Sequence, residues 1–207
     1  MLKRYCRSGF SLSEIIVAIG IGALLTGAFL GLHHYFVRIY NQGTTYIRLR
    51  NELLKVVDFV STDIRRAGEG VSFDPAEVIV TANSTQFSFK RELSGSAAGA
   101  DTIKYVYSTQ DEALYRDVAY DGSASSVRTS VFPTKEVAVN QCNFYYYDEN
   151  GTQLVPAGNP PSLSSTDIKA LRRVDLSIGI QNKKGEVLNQ RFSISLNNFN
   201  LPIETGY

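Results

Sequence analysis

Glu14 is the only ionisable residue among the 23 positions from Phe10 to Leu32. A carboxylate inside an apolar helix costs about 2.5–3.5 kcal/mol on membrane-insertion scales, and such a group is normally retained for a partner. Spacing suggests the partner. If the chain were cut after Gly9, the new α-amine on Phe10 would lie one helical turn before Glu14. The same amine on a neighbouring subunit carries the charge that a carboxylate needs in a low-dielectric setting.

Other chemistry-bearing residues point to bland roles. His33 and His34 are adjacent, so on a helix they project about 100° apart and do not readily grip one metal; placement at a membrane edge fits them better. Asp148-Glu149-Asn150-Gly151 offers oxygen ligands suited to calcium but lacks the spacing of a dedicated loop, and a turn after a strand is the preferred reading. Tyr145, Tyr146 and Tyr147 form a block in which alternation should expose at least one ring, for sheet packing or a subunit interface rather than base stacking. Cys142 reads as a small buried hydrophobe, and Cys6 lies in the basic stretch at the start of the chain. No Ser/His/Asp or Cys/His set, phosphate loop or CxxC is present. With both histidines near the apolar segment, the rest of the chain lacks the commonest acid/base. The expectation is a non-enzyme with no cofactor and no metal site.

These residues need elements to hold them. At about 1.5 Å per residue the run from Phe10 to Leu32 covers roughly 34 Å, enough to cross a bilayer core. Lys3, Arg4 and Arg7 precede it and should stay cytoplasmic, so the C-terminal part is exported. An ordinary secretory signal has a shorter apolar stretch, and a plain single-span anchor leaves Glu14 unexplained. The chain has 21 basic and 20 acidic side chains; setting aside the three basic residues before Phe10 leaves 18 against 20, which argues against a dedicated nucleic-acid surface. Twelve Tyr and eleven Phe against one Met and no Trp describe a β-rich head.

Helical periodicity continues past the apolar run. Tyr46, Leu49, Leu53, Val56, Val57, Val60 and Ile64 share one face, while Arg48, Arg50, Asn51, Glu52, Lys55, Asp58, Thr62 and Asp63 cover the polar one. Gly68 and Gly70 read as a C-cap, which predicts one helix from about Phe10 to Arg66 with its second half laid on a sheet. Glycines 20, 22, 27, 31 and 43 within it suit close helix packing in lipid or local melting. Strands are predicted over Glu77–Thr81, Thr85–Arg91, Thr102–Ser108, Ala113–Asp117, Glu136–Tyr147, Ile168–Gln181 and Val187–Leu196. Asn182-Lys183-Lys184-Gly185 joins the last two as a hairpin. Ser94–Ala100, Gly122–Ser126 and Val155–Ser165 read as loops.

The stretch Arg7-Ser8-Gly9-Phe10-Ser11-Leu12-Ser13-Glu14-Ile15-Ile16-Val17-Ala18 resembles the processing motif of type IV pilins and type II secretion pseudopilins. Ser11 stands where Thr is commonest, and no proline interrupts the helix. The resemblance implies an α+β type IV pilin fold: a long N-terminal transmembrane and amphipathic helix packed on an antiparallel β-sheet head. It implies cleavage between Gly9 and Phe10 by a prepilin peptidase, N-methylation of Phe10, and Glu14 as the assembly glutamate. Residues 1–9 would be a cytoplasmic leader, 10–32 the transmembrane and assembly half of the helix, 33–68 its amphipathic half, and 69–207 a β-rich periplasmic or extracellular head. Expected partners are other minor and major pilins through the N-terminal helix and an inner-membrane assembly platform. The expected location is the bacterial inner membrane, single-pass, then a pilus or pseudopilus.

The helix end, from Glu52-Leu53-Leu54 to Asp63-Ile64-Arg65-Arg66-Ala67-Gly68, resembles PilW-type minor pilins and J-type pseudopilins. That implies a subunit for initiation or the tip of a type IV pilus. The alternatives are a J-type pseudopilin of type II secretion and a tip binding module for DNA uptake or adhesion.

Overall fold

A computed structural model describes residues 11–72, 74–92, 100–120, 125–132 and 137–199. The chain divides into two compact units, Met1–Ile47 and Arg48–Tyr207. One helix, α1, runs 54 residues from Leu12 to Arg65 without a proline. It is long and apolar enough, by length and composition, to cross a membrane. In the first unit its large apolar side chains, among them Leu12, Leu24 and Phe29, are exposed. The five helical glycines stand in open space, with no atom within 4 Å of where a Cβ would sit.

In the second unit Leu49, Leu53, Val56, Val57, Val60 and Ile64 are buried, as their spacing requires. Tyr46, expected on the same face, is exposed. The helix closes with tightened i→i−3 bonds, Arg66 N to Asp63 O at 3.2 Å and Ala67 N to Ile64 O at 3.0 Å. Gly68 then takes φ +82°, where a Cβ would meet the Ser72 carbonyl at 2.7 Å. Only glycine turns the chain here without strain.

Two antiparallel sheets follow. The first has the order β1-β2-β3-β4-β5, formed by β1 (Ile79–Ala82), β2 (Gln86–Arg91), β3 (Asp101–Ser108), β4 (Ala113–Ala119) and β5 (Ser126–Phe132). The second has the order β7-β6-β8-β9, from β6 (Val137–Tyr147), β7 (Gln153–Leu154), β8 (Arg173–Asn182) and β9 (Val187–Ser195). β6 carries a register shift between Val139 and Gln141, and β7 covers only two residues of its edge. Turns of the first sheet occupy part of what remains: Phe144 N donates to Ser84 O at 2.8 Å and Val139 N to Glu112 O at 2.8 Å. Phe87, Phe89, Phe144 and Tyr146 pack between the sheets with ring centroids about 6 Å apart. The Tyr146 hydroxyl donates to the carbonyls of Asn83 and Gln86.

Several expected boundaries move. The segment expected as strand from Glu77 begins instead with the short helix α2, Pro75–Val78, because Asp74 accepts from Ala76 N at 2.9 Å as an N-cap and Pro75 presets the first helical φ. The strand expected from Ile168 begins at Arg173; before it lies α3, Ser165–Ala170, capped by Ser164, which accepts from Asp167 N at 3.1 Å. No strand was expected between Asp117 and Glu136, and β5 lies there, with Val127, Arg128, Thr129 and Ser130 exposed and without inward alternation. It forms by backbone pairing with β4. The Asn182–Gly185 hairpin forms as expected, with Asn182 Oδ1 accepting from Lys184 N and Glu186 N and Gly185 at φ +83°.

Candidate assembly site

Gly9, Phe10 and Cys6 lie outside the described residues, so the start of the site is Ser11 and Glu14. Ser11 N donates to Glu14 Oε2 at 2.9 Å, Ser11 Oγ donates to the same oxygen at 3.1 Å, and Glu14 N donates back to Ser11 Oγ at 3.3 Å. This is a capping box, and its signature Ser-x-x-Glu is plain in Ser11-Leu12-Ser13-Glu14. Glu14 therefore has an intrachain role that its spacing to Phe10 did not suggest. Among the described residues, Glu14 Oε1 accepts no hydrogen bond. Farther along, Thr26 returns its hydroxyl to Gly22 O at 2.8 Å and Thr45 to Asn41 O at 2.8 Å, so neither leaves a bare polar group on the apolar helix.

The largest correction concerns Asp63. It was expected on the polar face of the helix, and it is buried. Its Oδ1 accepts from Arg91 Nη1 on β2 at 2.9 Å; its Oδ2 accepts from Tyr105 Oη on β3 at 2.8 Å and from Arg116 Nε on β4 at 2.7 Å. One carboxylate thus ties the end of α1 to three adjacent strands. The signal was in the spacing: Asp63 follows Val60 by three and Val56 by seven, which places it inside the apolar stripe. Burial, and then the neighbouring Asp63 charge, push the Tyr105 phenol well above its ordinary value. Arg116 also lies 5.6 Å from the Phe59 ring.

The outer face of the second sheet carries a related cluster. Asp175 is buried between Arg173 Nε at 3.1 Å and Arg191 Nε at 3.0 Å. The Arg173 guanidinium lies 4.2 Å over Tyr147 and that of Arg191 4.4 Å over Tyr145, while Arg191 also donates to the Tyr147 hydroxyl. The tyrosine block thus exposes no bare ring: Tyr146 and Tyr147 are buried, and Tyr145 is half-buried under a guanidinium.

Cys142 is a free, buried thiol whose pKa burial pushes up to about 12, so it is protonated at neutral pH. His33 and His34 are exposed neighbours on α1 with ring centroids 6.2 Å apart. Asp148 spends its carboxylate on its own turn, accepting from Asn150 N at 2.9 Å and Thr152 N at 2.7 Å. Among the described residues no three His, Cys, Asp or Glu side chains gather as a metal site.

The sequence matches no family model and no curated protein. Its fold has solved counterparts. A type IV-like pilin from Thermus thermophilus superposes with a TM-score of 0.57 at 10% identity, covering 73% of this chain and 98% of that one. The long N-terminal apolar helix followed by antiparallel sheets is the type IV pilin fold.

Proposed function

We propose that this chain is a minor pilin, cut by a prepilin peptidase between Gly9 and Phe10, methylated on Phe10, and built into a type IV pilus at initiation or at the tip. It is a structural subunit rather than an enzyme. The observation that carries the reading is the pilin fold entered through an apolar helix whose side chains stand exposed. The Arg7–Ala18 motif supports it independently. In lipid, and then against neighbouring pilin helices, that apolar surface is covered.

Glu14 serves two ends in this reading. Oε2 caps its own helix, and Oε1 is left to meet the Phe10 amine of a neighbour. Glu14→Gln separates them, because a glutamine side chain can still close a capping box but carries no charge. The expected outcome is normal cleavage with at least a tenfold loss of filament incorporation, read by mass spectrometry of the mature N-terminus and by immunoblotting of sheared filaments. Normal incorporation of the Gln variant contradicts the pairing, and a mature chain that starts at Met1 contradicts the whole reading. Loss of pili on deletion assigns the chain to a pilus; loss of protein secretion with pili intact assigns it to a pseudopilus.

A further inference from the structure

Two Asn-x-Thr triplets lie in the second unit, Asn83-Ser84-Thr85 and Asn150-Gly151-Thr152. The triplet is the acceptor pattern for N-linked glycans on exported chains. Their surroundings differ. At the first, Asn83 Oδ1 accepts from Thr85 N at 3.0 Å and from Thr85 Oγ1 at 3.4 Å, so the carboxamide oxygen and the threonine hydroxyl that a transferase must read are turned on each other. The Asn83 carbonyl also accepts from Tyr146, and Asn83 N donates to Gln86 O. That asparagine is half-buried in the junction between the sheets.

At the second triplet, the backbone is satisfied by Asp148 alone, whose Oδ1 takes Asn150 N and Thr152 N while its main chain pairs with Thr152 O at 3.1 Å and Gly151 N at 3.3 Å. The side chains of Asn150 and Thr152 are exposed and make no hydrogen bond among the described residues. Gly151 between them is not proline, and nothing lies within 4 Å of its Cβ position. The tip of the β6–β7 hairpin therefore offers a free carboxamide and a free hydroxyl two residues apart, on a turn whose geometry does not depend on either.

We propose that Asn150 is an acceptor for an N-linked saccharide, added to the head once it has left the cytoplasm. The donor class is a saccharide carried on a polyprenyl diphosphate. Asn150 Nδ2 bonds to the anomeric carbon; the bond from that carbon to the diphosphate oxygen breaks, the diphosphate leaves with the electron pair, and Nδ2 gives up one proton to a base of the transferase. Nothing is oxidised or reduced. Thr152 supplies the hydroxyl by which the transferase selects the triplet.

This inference rests on the reading of the head as exported, and the test separates the two. The full chain is isolated from its own cells, and the peptide containing Asn150 is sequenced by mass spectrometry; protease digestion of intact spheroplasts in the same preparation reports which side of the membrane holds the head. The expected result is a saccharide mass with sugar fragment ions on Asn150. Asn150→Gln and Thr152→Ala should lose it, whereas Thr152→Ser and Asn83→Gln should keep it. An exported head with bare or merely deamidated Asn150, or with its sugar on Asn83 or a hydroxyl, overturns the proposal and leaves the pilin reading standing. A head retained in the cytoplasm overturns both.

Discussion

Asp63 and Asp175 are both buried aspartates, each set between two arginines with a tyrosine close by. The carboxylates are equally dry, with side chains 11% and 7% exposed. The cations are not. Arg91 and Arg116 are 8% and 16% exposed, against 38% and 46% for Arg173 and Arg191. What separates the two sites is therefore where the arginines can go when the carboxylate is lost. At Asp175 they can turn out into water; at Asp63 they are held under the helix, and their charge would stay in a poorly solvated place. A buried aspartate is as costly to remove as its cations are trapped.

The largest expected effect follows directly. Asp63→Ala should destabilise the second unit by about 3–5 kcal/mol, read by denaturant unfolding of the full chain in detergent, because it strands the Arg116 guanidinium and the Tyr105 hydroxyl and leaves Arg91 only the more distant Glu69 carboxylate, 3.7 Å away. An effect below about 1 kcal/mol, the scale of an exposed pair, would remove the distinction between the sites. The second experiment sharpens the cause. Asp63→Leu combined with Arg91→Met, Arg116→Leu and Tyr105→Phe removes carboxylate, cations and hydroxyl at once, and is expected to unfold within about 2 kcal/mol of the parent. If the combined variant is as unstable as Asp63→Ala, stranded charge is not the reason.

The third uses pH. The folded Tyr105 phenol is raised, while an unfolded tyrosine loses its proton near pH 10. Above about pH 10 the folded chain binds more protons than the unfolded one, so stability falls as pH rises, and it is fully present below that value. The buried Cys142 thiol, raised to about 12, adds a loss of the same sign that begins lower, as unfolded cysteine titrates near pH 8.5. Unfolding midpoints from about pH 8 to 11 should decline in the parent and less steeply in Tyr105→Phe. An unchanged slope in that variant would mean that Tyr105 contributes nothing to the decline. The smallest effect is at the other site: Asp175→Ala is expected to cost about 1 kcal/mol or less.

Much of the fold was legible because it depends on periodicity. Leu49, Leu53, Val56, Val57, Val60 and Ile64 recur with the helical repeat and are buried. Val174, Leu176, Ile178 and Ile180 alternate and form the inner face of β8. β5 was not legible, since edge strands take their order from a neighbour's backbone and need no pattern of their own. The short helices α2 and α3 were not legible because their caps at Asp74 and Ser164 act over two and three residues, below the scale on which alternation is counted. At the candidate site, the Ser11–Glu14 box is written in the sequence as Ser-x-x-Glu, because a capping box closes within one helical turn.

By itself the sequence determined the long apolar helix, the amphipathic stripe that follows it and the β-rich remainder, because hydrophobic spacing and chain stiffness are local properties. Only the tertiary structure decided that the remainder splits into two sheets and that Arg91, Tyr105 and Arg116 converge on Asp63. Those partners lie 28, 42 and 53 residues from it along the chain. No local pattern records a meeting at that range; it exists only once strand order and register bring β2, β3 and β4 side by side beneath the helix end.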